Sequence, residues 1–260
     1  MVNHSTLLAK DYGIVHFDSP DERGIDVALL YKRSVFMPTS FDSRRLLLIN
    51  DDGERNYTRD QLIVGGLLDD EHYYFLVNHW PSRSGGEARS RPNRMEAAKL
   101  SRRIIDSVQK LDAAAKIVGM GDFNDDPDND SFKKILKTQV EPTEIKENDN
   151  QLAEVNLFNP MEKLYRKGIG SLAYRDKWNL FDQIYFTENI LSPENGEYQF
   201  WKAGVFNAPY LISKKGQYKG YPFRTYAGGS YAGGYSDHFP VYVYLIREAS
   251  SDPNFEEKPK

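Results

Sequence analysis

The chain of 260 residues has no cysteine, which excludes disulfides, thiolate metal ligands and cysteine nucleophiles. Any metal must therefore be held by oxygen and imidazole. Positive charge is also in short supply. A formal net charge of -4 and a pI near 5.8 argue against attachment to nucleic acid through overall charge, although a local basic patch remains open. No apolar run approaches the length needed to span a membrane, and the opening MVNHSTLLAKDYG lacks the pattern of a signal peptide. The expectation is a chain without a membrane span, cytoplasmic or exported, with any export signal upstream of Met1. A GxSxG elbow is missing too, which makes serine-triad hydrolysis unattractive. No mid-chain stretch concentrates Pro, Gly and Ser, and no fixed-period repeat appears. One domain over residues 1–247 is expected, followed by a polar tail at 248–260 whose composition predicts disorder.

With 40% hydrophobic and 13% aromatic residues, the chain can bury one large core. Strands are predicted at Tyr12 to Phe17, Ile25 to Tyr31, Leu62 to Leu68 and His72 to Trp80, where β-branched and aromatic residues cluster between turn signals. The compact turn at Asp69, Asp70 and Glu71 predicts an antiparallel hairpin. A helix is expected from about Pro92 to Leu111, because Asn93 and Glu96 have capping-box spacing ahead of an apolar stripe. A buried strand follows from Lys116 to Met120, breaking at Gly121. Further strands are expected at Ser171 to Arg175, Phe181 to Thr187, Tyr198 to Val205 and Pro240 to Ile246. Short helices are expected near Ser131 to Lys137 and Asn159 to Tyr165. Many strands with few helices suggest an α+β fold of two packed sheets with helices outside.

Three polar clusters adjoin hydrophobic runs: NHWPSRSGG from Asn78, GDFNDDPDND from Gly121 and YSDHFPVYVY from Tyr235. A fourth is LFDQIYF, where Asp182 interrupts an apolar strand and needs a partner. Each has a bland alternative: His79 as a satisfied histidine, the acidic run as a solvated cap and Asp182 as a structural carboxylate. A calcium loop fails on its backbone, since Pro127 stands where glycine is needed and Lys133 where a bidentate glutamate is needed. Together the clusters fit one chemistry, with two histidines that titrate near neutral pH, carboxylates for a hard cation and an amide for a phosphate oxygen. Phosphodiester hydrolysis needs such groups to neutralise charge, orient water and assist the leaving oxygen.

NHWPS, GDFND, FDQIYF and SDHFPV, in that order, resemble the signature blocks of the endonuclease/exonuclease/phosphatase superfamily. The resemblance runs from about Tyr12 to Ile246. It implies a deoxyribonuclease I-like β-sandwich in four layers, α/β/β/α, and a monomeric hydrolase that uses Mg2+ or Mn2+. The activity it implies is nuclease-like hydrolysis of a phosphodiester, with nucleic acid as substrate; the alternative is a phosphomonoesterase or phospholipase acting on inositol phosphates or sphingomyelin. By the same resemblance His79 acts at the leaving group, Asp122 positions water and Asn124 holds a phosphate oxygen. Asp237 is then a metal ligand, and His238, oriented by Asp182, contacts phosphate or serves as base. Asn78 and Ser82 support the loop, and Arg83 binds substrate; Arg89, Arg91 and Arg94 are either phosphate ligands or a solvated lead-in to the helix. The paired glycines and tyrosines of YAGGSYAGGYSDH suggest either a mobile substrate loop that stacks on bases or a long connection.

Members of the family begin with strands carrying an asparagine and a metal-binding glutamate, and this chain starts too late for either. The expectation is a fold missing its first strands, with exposed sheet edges, weakened magnesium binding and little or no activity. A catalytically inactive scaffold is the corresponding alternative.

Overall fold

The computed structural model describes residues 2–50, 52–141, 156–194 and 196–248. A single helical turn, α1 (Ser5–Leu8), precedes an antiparallel pair, β1 (Tyr12–His16) and β2 (Ala28–Lys32). Strand β3 (Phe36–Arg44) and the small pair β4 (Leu48–Ile49) and β5 (Arg55–Asn56) lead into a long hairpin, β6 (Gln61–Leu68) and β7 (Glu71–His79). Helix α2 (Glu87–Leu111) then crosses over to β8 (Lys116–Asp122), which pairs parallel to β7. A π-helical turn at Ser131–Leu136 precedes β9 (Thr138–Gln139), β10 (Leu157–Phe158) and α3 (Met161–Arg166). The chain continues through the hairpin β11 (Leu172–Tyr174) and β12 (Lys177–Asn179) to β13 (Asp182–Thr187) and β14 (Gln199–Val205). A small hairpin, β15 (Tyr226–Ala227) and β16 (Ser230–Tyr231), precedes β17 (Val241–Ile246).

One seven-stranded sheet, in the order β3-β6-β7-β8-β13-β10-β9, organises the rest. Alternation along its strands sends side chains to two different cores. Ile117 and Tyr185 point to the α2 side, where Trp80, Ile105, Phe123 and Phe132 are fully or almost fully buried. Val118 and Phe186 point the other way, toward Phe200, Val243 and Leu245 of the β14–β17 pair. On that same far face β1 and β2 contribute Val15 and Leu29 against Phe36 and Val64. The mixed α+β architecture is thus as expected, but the second layer among the described residues consists of two separate pairs, β1–β2 and β14–β17.

Several local expectations need correction. Helix α2 starts at Glu87, five residues before the expected start at Pro92. Gly86, at φ 102°, turns the chain into the helix, and Ser90 N–H already bonds to the Gly86 carbonyl at 3.1 Å. Pro92 removes one backbone donor, and the first turns hold through a two-pronged Arg91–Glu87 ion pair and the hydroxyl of Ser90 on Gly86 O. Strand β8 does not break at Gly121 but runs to Asp122, because β7 and β13 both continue beside it. Glycine is required there for close approach: with φ 141°, an added Cβ would meet the Asn78 carbonyl oxygen. Strand β2 starts at Ala28, and Ile25 belongs to the preceding loop. The nine-residue edge strand β3 gave no signal, since Pro38 and a mostly exposed face hide any period-two pattern. The residues after Glu248, where a disordered tail was expected, lie outside those described.

Candidate active site

The ends of three neighbouring central strands set the site. In the parallel β7–β8 register His79 stands opposite Asp122, and in the antiparallel β8–β13 register Asp122 stands opposite Asp182. Three chemically reactive side chains therefore lie in one row at one sheet rim. The loop before β17 brings a fourth: His238 Nδ1 lies 2.7 Å from Asp182 Oδ2, and the same oxygen accepts the Ser171 hydroxyl at 2.6 Å. The loop is pinned because Phe239 N–H donates to the Ser171 carbonyl at 2.7 Å. Across the row His79 Nε2 lies 3.5 Å from Asp122 Oδ2.

Burial and neighbouring charge drive these groups apart. His79 falls to a pKa of about 4, first because burial penalises its cation and then because Arg59 and Arg23 lie close. It is neutral at pH 7. Burial also pulls His238 downward, but the bond and charge of Asp182, with the charges of Asp122 and Asp237, outweigh it and raise the pKa to about 9. His238 is therefore an imidazolium at neutral pH, donating from Nδ1 to Asp182. Asp122 rises to about 6, through burial and then the charge of Asp182, despite the pull of His238 and the Asn124 N–H. A carboxyl with that pKa is poised to exchange a proton near neutrality.

Two arginines that sequence reading did not single out control the His79 side. Arg59 is buried, pairs with Asp21 at 3.0 Å and donates from Nη2 to the Trp80 carbonyl at 2.7 Å. Arg23 holds the same Asp21 from the surface. Burial pushes the Asp21 carboxyl up, yet the bonds from Arg23 and Arg59 hold it down to about 2. An isolated arginine ahead of an apolar strand looks like an ordinary solvated flank, so TRDQL gave no warning.

Other expected site residues take different positions. Asn124, at φ 52°, donates its side-chain N–H to the Trp80 carbonyl at 3.0 Å and its backbone N–H to Asp122 at 2.9 Å. Asn78 is buried, donating to Leu76 O and accepting from Trp80 Nε1 and the Ser101 hydroxyl, which makes it a brace for the histidine loop. Ser82 is exposed and lines a cavity of about 790 Å³ beside the His79 loop, with Asp21, Arg23, Asp52, Arg59 and Asn93. Arg83 turns inward rather than toward substrate: it donates to Asn124 O, Asp125 and Asn129 and lies over the Phe181 ring at 4.3 Å. Arg94 is fully buried on Asp125 at 2.6 Å, whereas Arg91 holds Glu87 at the surface. Asp237 is exposed, and its carboxylate does not join the group of converging ligand atoms.

That group is Asp122, Asp182 and His238, whose candidate ligand atoms all lie within 4.8 Å of one another. Two carboxylates suit a hard cation that keeps several waters, as magnesium does. The protonated His238 is a poor ligand, which leaves the oxygens of Asp122 and Asp182 as the donors that fit. A second group, His16, Asp18 and Asp26, is largely exposed and separate from the row.

No curated protein matches the chain. Among solved structures it resembles mannosyl-6-phosphatase of Bacteroides thetaiotaomicron, with a TM-score of 0.53 and 16% identity, covering 91% of this chain and 77% of that one. It also resembles a humanized D. rerio TDP2, with a TM-score of 0.55 and 13% identity over 94% and 79%. The human Nocturnin catalytic domain with bound sulfate follows at 0.51 and 14%, over 93% and 76%. At these identities the likeness concerns the fold. The family model described as Endonuclease/Exonuclease/phosphatase family matches residues 1–247, and the chain belongs to that family.

Proposed function

We propose that the chain is a metal-dependent phosphodiesterase in which Asp122, Asp182, His79 and His238 surround one phosphorus atom. The observation that carries this reading is the row of His79, Asp122 and Asp182 on adjacent strand ends, closed by His238 on Asp182. A magnesium or manganese ion held by Asp122 and Asp182 would neutralise charge on the phosphoryl oxygens. Asp122, which a bound cation would keep ionised, orients the attacking water and accepts its proton. His238, cationic and fixed by Asp182, donates from its other ring nitrogen to a non-bridging phosphate oxygen, where negative charge grows in the transition state. Neutral His79 donates a hydrogen bond toward the leaving oxygen. Asn124 ties the Asp122 turn to the Trp80 carbonyl and so sets the spacing of His79 and Asp122.

A second reading, hydrolysis of a small polar phosphate monoester, is favoured by the cavity of about 790 Å³ and its hydrogen-bonding lining beside the His79 loop. Rates on bis-p-nitrophenyl phosphate and p-nitrophenyl phosphate, with magnesium or manganese, separate the two. Diester turnover that stops on chelation and in His79→Ala is expected. A protein that turns over neither ester and shows no heat of magnesium binding would be a scaffold, and the proposal would fail.

A further inference from the structure

The chain as a whole is acidic, yet residues 206–236 carry Lys214, Lys215, Lys219 and Arg224 and not a single Asp or Glu. Lys214, Lys215 and Lys219 have no carboxylate partner among the described residues, so their charge is presented unneutralised. Next to them the β11–β12 hairpin adds Arg175 and Lys177. Its one acid, Asp176, accepts the Tyr221 hydroxyl. Aromatic rings are interleaved with these cations. Tyr210 is 54% exposed, Tyr226 63%, Tyr231 73% and Tyr235 63%, which is unusual for rings that could have been buried.

The segment is built rather than loose. Phe223 N–H bonds to Leu211 O, Tyr235 N–H to Phe223 O and Ala232 N–H to Thr225 O, each at 2.7 Å, so the rings are presented on a laddered backbone. It also leads into the site. Tyr210 and Tyr235 stand 5.9 Å apart, ring to ring, and Tyr235 lines a cavity of about 240 Å³ with Asp182 and His238.

We propose that residues 206–236, with the β11–β12 hairpin, form a binding surface for single-stranded nucleic acid, whose bases stack on the exposed tyrosines while its phosphates meet the unpaired lysines. Flat rings open to solvent take unstacked bases of any sequence, and the lysines supply the attraction that the chain's overall charge denies. A duplex keeps its bases stacked and offers these rings nothing. The β15–β16 tip, Ala227 to Ser230 with two glycines, carries no large apolar side chain to enter a lipid surface. That the bound strand is then cleaved at Asp182 and His238 rests on the phosphodiesterase reading; the binding itself does not.

The full chain, titrated into fluorescein-labelled oligothymidylate with EDTA present to prevent cleavage, tests this by fluorescence anisotropy. Saturable binding that weakens with salt is expected, with a duplex of equal length at least about tenfold weaker. Combining Tyr226→Ala with Tyr231→Ala should weaken single-strand binding about tenfold or more. Replacing Lys214, Lys215 and Lys219 by Ala should flatten the log-log salt dependence by about 2, at roughly 0.7 per phosphate contact. Both variants should hydrolyse bis-p-nitrophenyl phosphate at the unmodified rate. Absence of binding, binding indifferent to both variants, or equally tight tyrosine-dependent binding to phosphatidylserine vesicles would overturn the proposal. Hydrolysis of the small ester, measured separately, decides the phosphodiesterase reading on its own.

Discussion

His79 and His238 face the same pair of carboxylates from opposite banks of the cleft, yet one is held neutral with a pKa of about 4 and the other cationic with a pKa of about 9. Both rings are largely buried, and burial disfavours the cation in each. What differs is the partner. On the His79 bank the largest effects after burial come from the charges of Arg59 and Arg23, both paired with Asp21. On the His238 bank Asp182 bonds the ring directly at 2.7 Å. The lesson is that the role of a histidine is set one contact away from it, by the charge its neighbour brings.

The most severe test removes what the two banks share. Asp122→Asn should lower kcat/KM by about 10² to 10⁴, the range for a lost general base, with little change in melting temperature. A loss under tenfold would remove Asp122 from the chemistry.

Next in size is Arg59→Met, which leaves Asp21 with Arg23 alone and the Trp80 carbonyl with Asn124 alone. Breaking a buried pair from one side costs roughly 3 to 5 kcal/mol, read by denaturant unfolding. In the same variant the His79 pKa should rise from about 4, and an NMR titration of the metal-free protein measures it. If it stays put, the charge of Arg59 does not set it.

Asp182→Asn acts on the other bank. The His238 pKa should fall from about 9, while the hydrogen-bonding shape of the site is retained. Activity near pH 8 should then drop more than activity near pH 6, because the variant loses its imidazolium earlier as pH rises. Parallel losses at both pH values would mean that Asp182 acts through the metal rather than through the charge of His238.

The smallest expected effect is on stability against pH in the metal-free protein. His238, raised in the fold, contributes stability that is complete below about 6.5 and is lost as pH rises through about 9. His79, depressed in the fold, works in the opposite sense: its neutral form costs stability as pH falls from about 6.5 toward 4, where the unfolded chain takes up the proton first. His238→Gln should abolish the alkaline slope and leave the acid one. Equal effects on both slopes would show the two rings to be coupled.

Reading the sequence went furthest where a polar residue abuts a buried strand. His79 and Asp122 each close an apolar strand and Asp182 opens one, and a strand end at a sheet rim is where such a residue can face solvent and substrate together. Reading fell short wherever a charge finds its partner far along the chain. Arg83 looked free because Asp125 and Asn129 lie more than forty positions away, and Arg59 looked ordinary because Asp21 lies thirty-eight positions back. Asp237 adjoins His238 in sequence, yet it stands outside the converging carboxylates because the loop before β17 directs only the histidine inward. Strand β3 was missed because an edge strand carries little of the burial that makes a pattern visible.

By itself the sequence determined the mixed α+β class, the hairpin at Asp69 and Asp70, and which polar side chains adjoin apolar strands, since periodicity and side-chain type are properties of short stretches. Tertiary structure alone decided that β7, β8 and β13 lie side by side in register, that Arg59 reaches the His79 loop and that the pKa values of the two histidines shift in opposite directions. Those outcomes depend on distances between segments remote in the chain, and electrostatic energy in a buried site follows those distances.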